Sequence, residues 1–179
     1  RKYEEVVLMT ASLARLLRQS ISNEDEVVPL AREVEYAKGY LTIQKMRYKD
    51  KLEFEIDVEP SILNIPLIKL VLQPIIENAI YHGLKYKESK GLLQVKGFMK
   101  DGNAVLQVID NGVGMDEETL SHIYDKHKVN YHSNGVGVYN VQKRLKLYYG
   151  ENYGITYESE KGVGTTATII IPGIQEESI

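Results

Sequence analysis

Residues 92–110 read LLQVKGFMKDGNAVLQVID, and the fold turns on how they divide. Two strand-like runs, 92–100 and 104–110, flank Asp101-Gly102-Asn103, a polar, glycine-centred turn of the kind that closes a hairpin. A hairpin sets its strands antiparallel, whereas parallel neighbours need a long crossover, usually through a helix. In the second run Ala104, Leu106 and Val108 share one face by the alternation of a strand, and Asp110 falls on that same apolar face. A carboxylate placed there needs a donor.

Toward the N-terminus, Leu52, Phe54, Ile56 and Val58 alternate with Glu53, Glu55 and Asp57, which marks a half-buried strand that Pro60 ends. The largely apolar run 66–84 reads as a helix, with Pro66 in its first turn and a kink where Pro74 has no N–H for the carbonyl of Leu70. Toward the C-terminus, a short helix starts at Asp116, and 125–134, with His127 and His132, reads as a loop. A helix then spans 136–149 and stops at Gly150, and two strands, 155–159 and 165–171, end at Pro172. Helices and strands alternate, yet several strands are joined by hairpins. That predicts an α/β fold, a two-layer sandwich of a mixed β-sheet with helices on one face.

The opening residues have helical periodicity. Val6, Met9, Leu13 and Leu16 step by three and four, as do Val27, Leu30, Val34, Ala37 and Leu41, giving helices at 3–21 and 27–48. The polar break 22–26 supplies Asn23 or Asp25 as an N-cap. Such stripes serve either a helical hairpin or a dimerising bundle. The change of period after Lys51 sets a domain boundary: a helical segment at 1–50, the α/β domain at 51–174 and a tail at 175–179.

Composition narrows the function. The chain has 179 residues, 43% hydrophobic and 26% charged, which fits one soluble α/β domain with a helical appendage. It has no cysteine, which excludes disulfides and thiolate metal sites and fits a reducing cytoplasm. A formal charge of −3 without a basic block argues against nucleic acid and against direct membrane contact. No apolar run reaches the roughly 20 residues that span a bilayer. A start at Arg1 reads as a fragment of a longer protein, in which a targeting or membrane segment lies elsewhere.

Four short stretches carry polar groups that chemistry needs. In 66–84 the residues Gln73, Glu77, Asn78, Tyr81 and His82 interrupt an aliphatic background; Asn78 and His82 share one helical face, and Glu77 and Tyr81 share another. Such a cluster is either a solvated stripe or a set aimed at a ligand. Asp110-Asn111-Gly112-Val113-Gly114 is either a turn or a backbone that lets a flat ligand approach, with the carboxylate accepting from an exocyclic amine. Gly135-Val136-Gly137-Val138 opens a helix and exposes amides suited to phosphate. Gly162-Val163-Gly164-Thr165 precedes the last strand and is read by itself as a hairpin turn.

Taken in order, ENAIYHG at 77–83, DNGVGM at 110–115, NGVGVYNVQKRL at 134–145 and GVGT at 162–165 resemble the nucleotide-binding boxes of the gyrase, heat-shock-protein-90, histidine-kinase and MutL ATPase superfamily. The wording LQPIIENAIYHG and GVGVYNVQKRLKLYYG is similar to sensor histidine kinases of the LytS/YesM type, and EVEYAKGYLTIQKMRY at 33–48 is similar to the segment joining their dimerisation region to the catalytic domain.

The resemblance implies a Bergerat-type ATP-binding domain. Asn78 would bind Mg2+ between the phosphates, with Glu77 beside it as the other candidate catalytic residue. Asp110 would accept from the adenine amine, Gly114 would give the ring room, the Thr165 hydroxyl would assist, and Gly112 and Met115 would belong to the same nucleotide-binding set. Gly135, Val136, Gly137 and Val138 would present the phosphate-binding turn, and Tyr81, His82 and Lys85 would lie near ribose or phosphate. Arg144 would contact phosphate or pack between helices, and residues 116–134 would form a lid. In the parent protein, a membrane-anchored homodimer with this domain in the cytoplasm, phosphate would pass to a histidine on its own or its partner's acceptor helix and then to a response regulator.

Two departures shape that expectation. Hydrolytic members of the superfamily place a general-base glutamate one turn before the magnesium asparagine, where this chain has Pro74; Glu77 points about 100° away around a helix. Transfer to a protein nucleophile is therefore favoured over hydrolysis. No acceptor motif like PHFLYN occurs, so the fragment is read as beginning just after the acceptor histidine. The rival readings are an ATPase or anti-sigma-type serine kinase of the same superfamily, and a non-catalytic dimeric scaffold.

Overall fold

The computed structural model describes residues 26–123 and 135–173. The expectations for 3–21, for the caps at Asn23 and Asp25, and for the loop 125–134 lie outside the described residues. Strands β1 (Val27–Pro29) and β3 (Pro66–Ile68) form a small antiparallel pair. The main sheet comprises β2 (Leu52–Val58), β4 (Gly91–Lys100), β5 (Asn103–Asp110), β6 (Gly154–Glu160) and β7 (Gly164–Pro172), ordered β2-β4-β5-β7-β6. The β2–β4 pair is parallel and the rest antiparallel, as expected of a mixed sheet.

The hairpin that decides this arrangement closes on two residues. Asp101 and Gly102 both have positive φ, 50° and 76°, which matches the right-handed twist of the strands they join. Asn103 belongs to β5, paired with Lys100. The register sets Asp110 opposite Leu93 on one side and Thr165 on the other, so the carboxylate ends a row that is otherwise core.

Helix α1 (Leu30–Tyr48) starts later than its periodicity predicts. Val27 and Val28 are β-branched and pair with Ile68 and Leu67 in β1–β3. Pro29 then stands at the helix N-cap, and the amides of Leu30 and Ala31 donate to the carbonyls of Ile65 and Leu63 at 2.9 and 2.8 Å. Among the described residues, the buried stripe of α1 is spent on α2 (Leu72–Asn78) and β2.

The run 66–84 is not one helix. Pro66–Ile68 is strand β3, Leu70 turns the chain at φ 60°, and α2 begins only at Leu72. Pro74 is thus its third residue, where an N–H would have no partner within the helix, and no kink is needed. Burial explains the misreading: Leu67, Ile68, Val71 and Leu72 are all interior, and a continuous apolar run reads alike as buried strand or buried helix. Beyond Asn78 the helix widens into a π turn, Ala79–Leu84, closed where the Lys85 N–H donates to Ile80 O at 2.8 Å.

The remaining helices are α3 (Glu117–Ser121), capped by Asp116, and α4 (Gly135–Tyr149), stopped at Gly150 with φ 101°. The core is one continuous cluster: Leu41 of α1, Ile75 and Ile76 of α2, Val138, Val141 and Leu145 of α4, and Leu93, Val95, Leu106 and Ile169 of the sheet. Each such side chain contributes about 1.5–3 kcal/mol by leaving water. Among the described residues, no helix is long and apolar enough to cross a membrane.

Candidate functional site

The end of β5 is built around Asp110, whose side chain is 6% exposed. Its carboxylate accepts from the Gly112 N–H at 2.8 Å and from the Thr165 N–H. Burial pushes its pKa up to about 6, against the pull of those amides and of the Lys87 ammonium. Lys87 in turn donates to the Asn111 carbonyl. A carboxylate so enclosed can accept from a donor that enters beside it.

Glycines permit that enclosure. A Cβ on Gly83 would come within 2.7 Å of Asp110 Oδ1, and one on Gly164 would come within 2.0 Å of the Asp110 carbonyl oxygen at a φ of 147°. The Val113 N–H donates to Gly83 O at 3.1 Å, which holds the loop after β5 against the π turn. Next to it, the Met115 N–H donates to Ser159 Oγ at 2.8 Å, and that hydroxyl also lies 2.8 Å from Thr165 Oγ1.

A cavity of about 590 Å³ opens from this corner. Val108, Asp110, Tyr157, Thr165 and Ala167 of the sheet form its floor; Ile75, Asn78, Ala79, His82 and Gly83 form a wall; Gly114, Met115, Glu118, Thr119, His122 and Ile123 close the other side. The i, i+4 pairing of Asn78 with His82 thus does aim one face of the helix at a cavity. Asn78 Oδ1 is buried and accepts no hydrogen bond from any described residue, a costly condition unless a ligand supplies the partner. His82 stands toward solvent, its pKa lowered by partial burial and by the Lys85 charge.

Other expected residues are placed elsewhere. Glu77 accepts from Gln73 Nε2 at 3.0 Å, and with Tyr81 it lies against Tyr40 of α1, whose phenol pKa is pushed well above the ordinary range by burial and by these neighbours. Neither Glu77 nor Tyr81 lines the cavity. Lys85 is exposed, its Nζ 5.4 Å from the centre of the Tyr86 ring. Gly112 serves by its N–H to Asp110 rather than by lining the cavity. Val138 is fully buried in the core.

Gly135 is the first residue of α4, and Gly137 lies where a Cβ would be 3.4 Å from Pro74 Cβ. Because Pro74 and Asn78 share a helical face, the first turn of α4 runs beside the stripe that carries Asn78. Of the expected lid, residues 116–123 are described. Asp116 caps α3 through the Thr119 N–H at 3.0 Å and its hydroxyl at 2.6 Å, and these bonds, with Lys161, hold its pKa down to about 2.

Sequence reasoning missed the apolar floor and wall, Ile75, Val108, Tyr157 and Ala167, because in a strand or helix pattern they are indistinguishable from core. Position next to Asp110 was the available signal for Val108. Glu118, Thr119 and His122 were included only as part of a lid.

Comparison with known proteins places this geometry. The family model described as Histidine kinase-, DNA gyrase B-, and HSP90-like ATPase matches residues 64–175, and the model described as Histidine kinase matches residues 1–52. Sensor histidine kinase YesM of Bacillus subtilis (strain 168) is 31% identical over 94% of this chain and 28% of its own length. Sensor protein LytS of Oceanobacillus iheyensis is 34% identical over 78% of this chain and 24% of its own length. The chain thus spans about a quarter of the length of these curated relatives. Among solved structures, the histidine kinase domain of the Erythrobacter litoralis EL346 blue-light activated histidine kinase matches with a TM-score of 0.60 at 15% identity, covering 94% of this chain and 74% of that one, a likeness of fold.

Proposed function

Because the chain belongs to the Histidine kinase-, DNA gyrase B-, and HSP90-like ATPase family, we propose that residues 51–174 bind ATP and present its γ-phosphoryl group to a histidine imidazole, for relay to a response-regulator aspartate. Residues 1–50 would then be the remainder of a dimerisation and phosphotransfer region. The observation that carries the reading is one cavity bordered by two buried hydrogen-bond acceptors, the carboxylate of Asp110 and an amide oxygen without a donor among the described residues, Asn78 Oδ1.

Asp110 accepts from the adenine amine, Gly114 and Met115 flank the ring, and Thr165 adds its hydroxyl. The amides of Gly135, Val136 and Gly137 receive the phosphates, with His82 at the rim. Val138 anchors that turn to the core through its side chain.

Mg2+ fits this donor set in a limited way. Among the described residues, no group of three or more His, Cys, Asp or Glu is arranged to hold a metal ion, so the ion would arrive with the triphosphate and take Asn78 Oδ1 as its protein ligand. When bound, it neutralises phosphate charge in a reaction that depends on positioning more than on covalent groups. Pro74 stands one turn before Asn78, where a carboxylate would be needed to activate water, and Glu77 lies against Tyr40 instead; both favour transfer over hydrolysis.

The deciding experiment incubates the chain with radiolabelled ATP and Mg2+, alone and with a separately supplied acceptor helix from a sensor histidine kinase of the same type. Acid-labile, base-stable label is expected on the supplied helix and not on the chain. Label on the chain alone would place the acceptor among His82, His122, His127 and His132 and sink the reading. Steady phosphate release without labelling would favour an ATPase, and absence of ATP binding a scaffold.

A further inference from the structure

Helix α2 carries Asn78 at its last residue, yet no side chain near its own start caps it. The cap comes from another element. Glu33 of α1, 2% exposed, accepts from the Leu70 N–H through Oε1 at 2.9 Å and from the Val71 and Leu72 N–H groups through Oε2 at 3.0 and 3.1 Å. Three amides at and just before the start of α2 are thereby satisfied by one carboxylate 37 to 39 residues upstream. Burial pushes the Glu33 pKa up, against the pull of these three amides and of the Arg144 charge of α4.

A second contact lies further along. Tyr40, two turns after Glu33 on α1, hydrogen-bonds Tyr81 and feels the charge of Glu77. The segment 72–84 therefore has two polar faces with different duties: Glu77 and Tyr81 lie against α1, while Asn78 and His82 border the cavity. It is a helical bar between α1 and the cavity, held at its start by Glu33.

We infer that Glu33 is a positioning residue for nucleotide binding: by fixing the start of α2 it sets where the Asn78 amide stands, and so links α1 more directly to the phosphate end of the cavity than to the adenine end, which β5 and β7 build and which the same segment reaches only at Gly83, beyond the π turn. The inference rests on the ATP reading above. By reciprocity, occupation of the phosphate end must act back on the Glu33 cap.

Two measurements test it. Calorimetric titrations of wild type and Glu33→Gln with adenosine, and with ATP in the presence and absence of Mg2+, come first. Glutamine keeps the shape of the side chain but replaces one acceptor with a donor facing amide N–H groups. About a tenfold weaker Mg2+-dependent ATP affinity is expected, with adenosine affinity changed less than twofold. Equal losses for both ligands, or no loss in a folded variant, overturn the proposal. Hydrogen exchange on the wild-type chain needs no variant and decides if Glu33→Gln does not fold. The amides of Leu70, Val71 and Leu72 should exchange several-fold more slowly with ATP and Mg2+ than with adenosine, and identical rates overturn the link. A wild-type chain that binds neither adenosine nor ATP would instead refute the nucleotide reading, and the proposal with it.

Discussion

In the floor of the cavity Asp110 already holds two backbone donors and is walled in by Gly83, Gly112 and Gly164, whereas in its wall the Asn78 oxygen has no partner among the described residues. The first end is complete in the free chain; on the proposed reading, the second is finished by the nucleotide and its ion. The difference teaches where rigidity is invested. A group that must distinguish one base from another is best held in place beforehand, while a group that meets a charge arriving with the ligand need only be kept from forming another hydrogen bond.

The comparison can be broken first at its rigid end. Gly164→Ala would place a Cβ 2.0 Å from the Asp110 carbonyl oxygen at a φ that side chains rarely adopt, and should cost about 3 kcal/mol or more of folding stability by denaturant titration. Gly137→Ala, at the other end, meets only Pro74 at 3.4 Å and should leave stability equal or slightly raised, since alanine favours helix. Comparable losses for the two would erase the distinction.

Asp110→Asn comes next, with at least a tenfold loss of ATP affinity, about 1.4 kcal/mol, because an amide nitrogen would face the adenine amine. The raised pKa, about 6, adds a pH signature. The folded chain holds a proton that the unfolded chain, with its ordinary carboxylate near 3.8, has lost. Free-chain stability should therefore fall as pH rises from about 4 through about 6, by this group alone. ATP affinity should move the opposite way, rising up to about tenfold between pH 5 and 7, since the carboxylate is the better acceptor. The step should vanish in Asp110→Asn; a pH-independent affinity in wild type would contradict the assignment.

At the unfinished end, Asn78→Ala should abolish the gain in ATP affinity from Mg2+ while leaving adenosine binding within twofold, by parallel titrations. Stability should change by less than about 1 kcal/mol, because no donor loses a partner to Asn78 Oδ1. Equal loss for adenosine would make Asn78 a structural residue. Lys85→Ala should have the smallest effect, under twofold on ATP affinity, as its ammonium lies over Tyr86 outside the cavity.

How much of this was legible in the sequence obeys the same division. The β4–β5 hairpin and Asp110 were readable because alternation assigns every residue a face, and a carboxylate on the apolar face is conspicuous. The stretch 66–84 was not, since its residues are interior in either backbone state and the break at Leu70 depends on a left-handed φ that leucine does not advertise. Within the site, helical spacing paired Asn78 with His82 and Glu77 with Tyr81, but both pairs are polar. Only the packing of α1, through Tyr40, decides which pair faces the cavity. Glu33 was likewise visible only as part of a resembling segment; its three amide partners lie far along the chain.

The π turn Ala79–Leu84 has a consequence for insertions and deletions. A wide turn holds one residue more than an α-helical turn, so each residue after it occupies the angular place that its predecessor in sequence would otherwise take. In an unbroken α-helix Gly83 would be swung about 100° around the axis, and a residue with a side chain, His82, would come toward Asp110 in its stead. A chain shortened by one residue between 79 and 81 would keep Gly83 against the carboxylate, on an ordinary α-helix. A chain lengthened by one there would not. The alignment of this segment with any relative therefore carries a phase as well as a residue identity, and a one-residue gap within it is the mark of a turn that has been tightened.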